Sequence, residues 1–213
     1  MDDDGRLIIP DCDFCIYLRS FSAEHHYQSS TYRQERQTGL ALGVAIKTVE
    51  QQMHPGYFLK ECINSFNSRI KVIEALNLSE SRKYNWRLSP PSFSAFCLYE
   101  FPDWDRRIAV LCQHAAVIIL HLDDRTDGLR TEFSIACQYP QKTVIFYPKS
   151  LTNHIAAVFY QLEQVNSWKA VVEYNDLIDR FSGSITHLDA LEKKNGSAKA
   201  IRLDSAWIGA LLS

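Results

Sequence analysis

Glu132 closes the stretch Asp123-Asp124-Arg125-Thr126-Asp127-Gly128-Leu129-Arg130-Thr131-Glu132. That stretch follows, after His121-Leu122, on the most apolar run of the chain, Ala115-Ala116-Val117-Ile118-Ile119-Leu120, which reads as a buried strand. Asp123, Asp124 and Gly128 therefore belong to a loop at the strand's carboxyl end, and Glu132 to the first turn or so of the next helix. Helical side chains lean toward the helix N-terminus, so a carboxylate there points back over the ligand edge of a sheet. The helix end stabilises such an anion by about 0.3–1 kcal/mol. The same position equally suits an acid that only favours a first turn. A second polar break, Arg19-Ser20-Phe21-Ser22, ends the β-former-rich run Phe14-Cys15-Ile16-Tyr17-Leu18. Open α/β sheets place their ligands at such breaks.

Other constellations carry less chemistry. Cys12 and Cys15 form C-x-x-C, but on a strand residues i and i+3 face opposite sides, and no second pair at zinc spacing follows, so no metal site is expected. His25-His26 lacks a matching ligand pattern, and His121 reads more readily as a hydrogen-bonded core histidine than as a general acid. The chain has no G-x-G-x-x-G, no G-x-x-x-x-G-K-[ST] and no G-x-S-x-G, which argues against a Rossmann dehydrogenase, a P-loop NTPase and an α/β-hydrolase.

The positioning elements follow from pattern. Phe14–Leu18, Ala116–Leu122, Thr143–Tyr147 and Val171–Tyr174 are predicted strands, and Phe93–Phe101 alternates loosely as another. Asp103 is placed as the N-cap of a helix carrying Trp104, Ile108, Leu111 and Cys112. Leu129–Tyr139 and residues 151–168 are predicted helices. Phe58, Leu59, Cys62, Ile63, Phe66, Ile70, Ile73 and Leu76 recur at spacings of three and four, an amphipathic helix. Residues 23–39 are polar and 40–49 ambiguous. The tail holds at least one helix. Strands alternating with helices predict an α/β fold with a mainly parallel sheet.

Composition sets the outer limits. At 213 residues and about 150 per domain, one domain with an elaboration is expected. An apolar share of 46% excludes a disordered or collagen-like chain, and a formal charge of -2 gives no reason to expect nucleic acid. The longest apolar run is far short of the roughly 20 residues a membrane helix needs. The start, Asp2-Asp3-Asp4, does not read as a secretory signal, and six cysteines, mostly in apolar segments, read as reduced thiols of a cytoplasmic protein.

Two blocks carry a resemblance. Phe14-Cys15-Ile16-Tyr17-Leu18-Arg19-Ser20-Phe21-Ser22 resembles the "LRSFS" first strand and loop of bacterial TIR-like domains. Trp104, Ile108, Leu111, Ala115 and Ala116, then Thr126-Asp127-Gly128-Leu129-Arg130-Thr131-Glu132, are similar to that group's helix and its "T-x-G-L-x-x-E" loop. Thr143 to Pro148 is similar to the strand that follows. Thr131 stands where many relatives carry Trp, and their Gly-Pro-rich middle segment is not recognisable here.

The resemblance implies a flavodoxin-like three-layer sandwich of the TIR and nucleoside deoxyribosyltransferase-like superfamily. It would span 1–175, with 40–92 as a helical insertion or flap and 176–213 as a C-terminal helical extension packed on the same domain. It implies cleavage of an N-glycosidic bond at ribose C1′, with NAD+ as substrate rather than cofactor. Glu132 would be the catalytic glutamate, either attacking the oxocarbenium-like centre or stabilising it. Arg19, Ser20 and Phe21 would line the nucleotide pocket. Arg19 would offer donors to phosphate or ribose oxygens, or else cap strand carbonyls or pair with Asp123 or Asp124. Phe21 would stack on a ring or belong to the core. Asp123 and Asp124 would bond ribose hydroxyls or be solvated loop acids. Gly128 would permit a positive φ or close ligand approach. The implied setting is bacterial antiviral defence or nucleotide signalling, as a homo-oligomer with a defence-system partner protein. A non-catalytic nucleotide-binding or protein-interaction module and a nucleoside deoxyribosyltransferase-type enzyme are the alternatives.

Overall fold

The computed structural model describes residues 7, 9–19, 34–41, 44–50, 62, 70–76, 93–97, 101–122, 127–158, 167–175, 187–194 and 196–212. Short apolar segments form its central strands because both of their faces are covered: β1 (Phe14–Arg19), β6 (Val117–His121), β7 (Thr143–Pro148) and β8 (Ala170–Tyr174) are buried along their whole length. They join β4 (Lys71–Leu76) and β5 (Phe93–Cys97) in a parallel run ordered β8-β7-β6-β1-β4-β5. Strands β4-β1-β6-β7-β8 have the flavodoxin-like order, and β5 extends the β4 edge. Antiparallel β9 (Leu188–Lys194) and β10 (Ser197–Leu203) complete an eight-stranded sheet at the other edge. A separate two-stranded sheet pairs β2 (Gln34–Ala41) with β3 (Val44–Glu50).

Parallel crossovers share one hand, so connections leading in opposite directions along the sheet lie on opposite faces. The helices α1 (Trp104–His114), α2 (Asp127–Ala136) and α3 (Thr152–Val158) cover the first face, packing Ile108, Leu111, Leu129, Phe133 and Ile155 against Ile16, Leu18, Ile118 and Leu120. Cys62, which is helical, and α4 (Ser205–Leu212) cover the second face over Cys15, Tyr17, Val117, Ile119 and Val172. Each large side chain fully buried here contributes about 1.5–3 kcal/mol. These are the three layers expected.

Helix ends are fixed by particular side chains. Lys142 donates at 2.8 Å to the Gln113 and Ala115 carbonyls at the end of α1, and Asp204 accepts from the Trp207 amide at the start of α4, 2.9 Å. Asp103 does occupy the N-cap of α1, but its carboxylate takes Arg107 Nε at 2.9 Å rather than an amide. No helix among the described residues is long and apolar enough to cross a membrane.

Several expectations change. The amphipathic helix cannot run through Ile70–Leu76, because Lys71–Leu76 is strand β4 beside β1. The described part of 40–92 is therefore largely strand, with Cys62 helical; the rest of the expected helix and the 79–92 flap lie outside the described residues. The tail is not simply helical: its β9–β10 hairpin extends the main sheet before α4. Of the described cysteines, Cys15, Cys62 and Cys112 are buried, Cys137 is half-buried and Cys12 is exposed, none in a disulfide.

Candidate functional site

The chain leaves β1 toward β4 in one direction and reaches β7 from β6 in the other, so the order reverses between β1 and β6. Ligands of open α/β sheets bind outside the strands' carboxyl ends at such a point. Arg19 and His121, the last residues of these two strands, stand opposite each other in register. Alternation puts both on the second face, with Tyr17 and Ile119.

Arg19 is buried and donates from Nε to Glu74 Oε1 at 2.7 Å; Glu74 is itself fully buried. The pair exists because β4 lies beside β1 with Tyr17 opposite Glu74, so Arg19 and Glu74 point to the same face. The expected pairing with Asp123 or Asp124 falls on residues outside those described. Sequence reasoning missed Glu74 because its segment was read as helix. The usable signal was one acid inside the strand-like Lys71-Val72-Ile73-Glu74-Ala75-Leu76.

Glu132 lies on α2, which follows β6 on the first face. It is 1% exposed, and neither carboxylate oxygen has a hydrogen-bond partner. Burial pushes its carboxyl well above the usual range, with the Arg19 guanidinium pulling the other way. The reading as an acid that only favours a first turn does not hold: α2 is already helical at Asp127, so Glu132 lies in the second turn, where the helix-end field has largely decayed. The exposed first-turn acid is Asp127, whose carboxylate lies 3.7 Å from Arg130. The spacing of Leu129, Glu132, Phe133 and Ala136 is the buried stripe of α2, and Glu132 is its acidic member. An uncompensated carboxyl in such a stripe is costly and calls for explanation.

His121 is fully buried between two phenols, with Nδ1 3.0 Å from Tyr17 Oη and Nε2 2.8 Å from Tyr174 Oη. Both ring nitrogens are engaged, as expected of a core histidine. Gly128 has a helical conformation rather than positive φ, and a Cβ built there would meet nothing within 4 Å. The left-handed glycine among the described residues is Gly196, φ 73°, in the β9–β10 turn. Ser20, Phe21, Asp123 and Asp124 lie outside the described residues. The structure thus brings Arg19, Glu74 and His121 together at the switch point, with Glu132 within the field of Arg19.

A second polar group sits further along the same sheet edge. Lys193 donates to Tyr147 Oη and to Glu173 Oε2, both at 2.7 Å, and Thr152 donates to Glu173 Oε2 at 3.0 Å. Burial works to raise the Glu173 carboxyl, but Lys193 and Thr152 outweigh it and hold it below its usual value. This neutral set ties β7, β8, β9 and α3 together. Among the described residues no group of His, Cys, Asp and Glu is placed to hold a metal ion.

No protein-family model matches the chain, and no curated protein matches it. Among solved structures, the DNA/pantothenate metabolism flavoprotein of Streptococcus pneumoniae is similar at 11% identity, covering 94% of this chain and 96% of that one, TM-score 0.45. A hypothetical protein of Streptococcus mutans is similar at 9% identity, covering 93% of this chain and 68% of that one, TM-score 0.43.

Proposed function

We propose that the protein is a TIR-like NAD+ glycohydrolase or cyclase that breaks the nicotinamide N-glycosidic bond with Glu132. One observation carries the reading. Glu132 holds a buried carboxyl without hydrogen-bond partners on the helix that follows β6, within the field of Arg19. In the reaction the C1′–N bond breaks, the pyridinium takes the bonding electrons and leaves as neutral nicotinamide, and positive charge develops at C1′. The Glu132 carboxylate stabilises that charge or bonds to C1′, and water or a nucleophile of the same nucleotide completes the transfer, water losing its proton. A carboxylate with no hydrogen-bond partner of its own favours a substrate that arrives cationic, which a pyridinium riboside does and a neutral nucleoside does not. Arg19 would meet phosphate or ribose oxygens at the end of β1. The TIR-like resemblance of the Arg19 and Glu132 blocks extends the reading to homo-oligomeric action in bacterial antiviral defence or nucleotide signalling, in the cytoplasm.

The test is incubation of wild type and Glu132→Gln with NAD+ over a range of protein concentrations, resolving nicotinamide and ADP-ribose products by chromatography. Release by wild type and its loss in the variant support the reading; full activity of the variant removes it. A second reading rests on the upward displacement of the same carboxyl. A protonated Glu132 is a hydrogen-bond donor, suited to a non-catalytic nucleotide-binding module. Calorimetric binding of NAD+ without consumption would favour it.

A further inference from the structure

Strand β10 ends the eight-stranded sheet, and among the described residues nothing pairs with its outer side. It runs for seven residues in unbroken register with β9, without proline and without the irregularity that interrupts β2–β3. The side chains of Ser197, Ala198, Lys199 and Ala200 are exposed along it. A strand of this kind presents a row of main-chain N–H and C=O groups to another strand laid beside it. Proteins blunt such edges with proline, bulges or charge. Here each cation of the edge stands opposite an acid of β9, Lys199 opposite Glu192 and Arg202 opposite Asp189. Arg202 also donates to His187 Nδ1 at 2.9 Å. The charge of the edge is thus balanced on its inner side. We propose that β10 is a dimerisation strand: it pairs antiparallel with β10 of a second copy, and the two sheets run on as one across a two-fold axis at Ala200.

The sequence of the strand selects both partner and register. A two-fold axis perpendicular to the sheet brings together residues that share a face, so the axis passes through a residue. An axis at Lys199 or Arg202 sets like charges directly opposite each other, which is unfavourable. An axis at any residue other than Ala200 leaves part of the strand unpaired. The axis at Ala200 pairs the whole of Ser197–Leu203, about 24 Å of strand at roughly 3.4 Å per residue. In that register Ala200 meets itself, Arg202 meets Ala198, Lys199 meets Ile201 and Ser197 meets Leu203. The two Lys199 side chains fall on a diagonal, each with its own Glu192 on the far side. On the first face Leu191 stands opposite Ala200, so the seam gathers a row of Leu191, Ala200 and their counterparts in the second copy. Leu191 is the one large apolar side chain exposed among the described residues, at 37%. A seam made mainly of main-chain hydrogen bonds is a small interface, so the dimer depends on concentration.

The experiment uses the full chain, followed by sedimentation equilibrium from micromolar to submillimolar protein. Wild type should pass from monomer to dimer. Ala200→Lys, at an exposed position, should keep the wild-type circular dichroism and weaken the dimer by about tenfold or more, since it sets Lys on Lys at the axis with each Arg202 on the diagonal. Ala200→Cys should cross-link to itself under mild oxidation, because residues directly opposite have Cβ atoms about 4.5–5.5 Å apart. Ala198→Cys should not, because its counterpart lies four residues further along, about 14 Å away. Wild type oxidised in parallel gives the background from exposed Cys12. A chain that stays monomeric at every concentration, as it would if an extended segment of another protein were the occupant, overturns the proposal. So does a dimer that Ala200→Lys leaves intact, or cross-linking of Ala198→Cys as readily as Ala200→Cys. Should Ala200→Lys fail to fold, the two cysteine variants decide alone. The seam stands on strand geometry and not on Glu132, so the two readings fail separately. Nicotinamide release by a strictly monomeric protein removes the seam and keeps the N-glycosidic reading. A dimer with the expected cross-link that releases none keeps the seam and counts against that reading.

Discussion

Glu132→Gln is expected to stabilise the folded protein at neutral pH. The carboxyl is buried without hydrogen bonds, and burial raises its titration well above the usual range despite Arg19. Between the unfolded and folded titration points the native state therefore binds more protons than the unfolded chain. Stability contributed by this group is then fully present below the ordinary carboxylate range and falls as pH rises through the folded value. Each pH unit separating the two titrations is worth about 1.4 kcal/mol once both are passed. For a chain of this size 1 kcal/mol corresponds to about 2–4 °C of Tm, so the variant should gain about 3–6 °C per unit of separation at pH 8. Below about pH 4 the acid is neutral in both states and differs little from an amide, so the gain should vanish. Thermal melts followed by circular dichroism at pH 4, 6 and 8 read this directly. A Tm difference independent of pH, or wild type gaining on the variant as pH rises, would refute the reasoning. The stabilised variant should also be the inactive one, as expected where function keeps an unfavourable group in place.

Further outcomes follow from the same geometry. Gly128→Ala should fold normally and gain up to about 1 kcal/mol in denaturant unfolding, because the site is helical and open; loss of nicotinamide release in a stable Gly128→Ala protein would show instead that substrate approaches this backbone. Native alkylation mapped by mass spectrometry should label exposed Cys12 first and spare buried Cys15 and Cys112, whose thiols burial pushes up; early labelling of Cys15 would contradict its place in the sheet. Glu173→Gln should cost no more than about 1 kcal/mol near pH 7, since Lys193 is partly solvated. That cost should fade as pH falls through the depressed Glu173 titration, because a lowered folded value gives stability only above it; a cost unchanged at pH 2 would show that packing, not charge, is responsible.

How much of this was legible in the sequence depended on burial. Strands β1, β6, β7 and β8 are covered on both faces and so read as short apolar runs between polar breaks. Strand β4 did not, because Ile70, Ile73 and Leu76 continue the three- and four-residue spacing begun at Phe58. Helical period and a short strand look alike over so few residues. The β2–β3 hairpin begins in the polar run Gln34-Glu35-Arg36-Gln37, which carries no alternating apolar face. The β9–β10 hairpin is an edge rich in lysine, as exposed edges tend to be; its one local sign was Asn195-Gly196, a hairpin-turn dipeptide. At the site, Glu132 was legible as an acid on the helix after β6, but its complete burial shows only once α2 packs on α1 and the sheet. Glu74 could be recognised only once β4 was placed beside β1.

The most direct test of the account is the pH dependence of kcat/KM for nicotinamide release from NAD+, measured for wild type beside Glu132→Gln. Wild type should gain activity with rising pH along a limb whose midpoint lies above the ordinary carboxylate range, because only the ionised Glu132 can meet positive charge at C1′. Glu132→Gln should fall by at least about a hundred-fold at every pH, the usual loss when a charge-stabilising group is removed. A wild-type rate flat between pH 5 and 9, or a variant that keeps its rate, would contradict a catalytic Glu132.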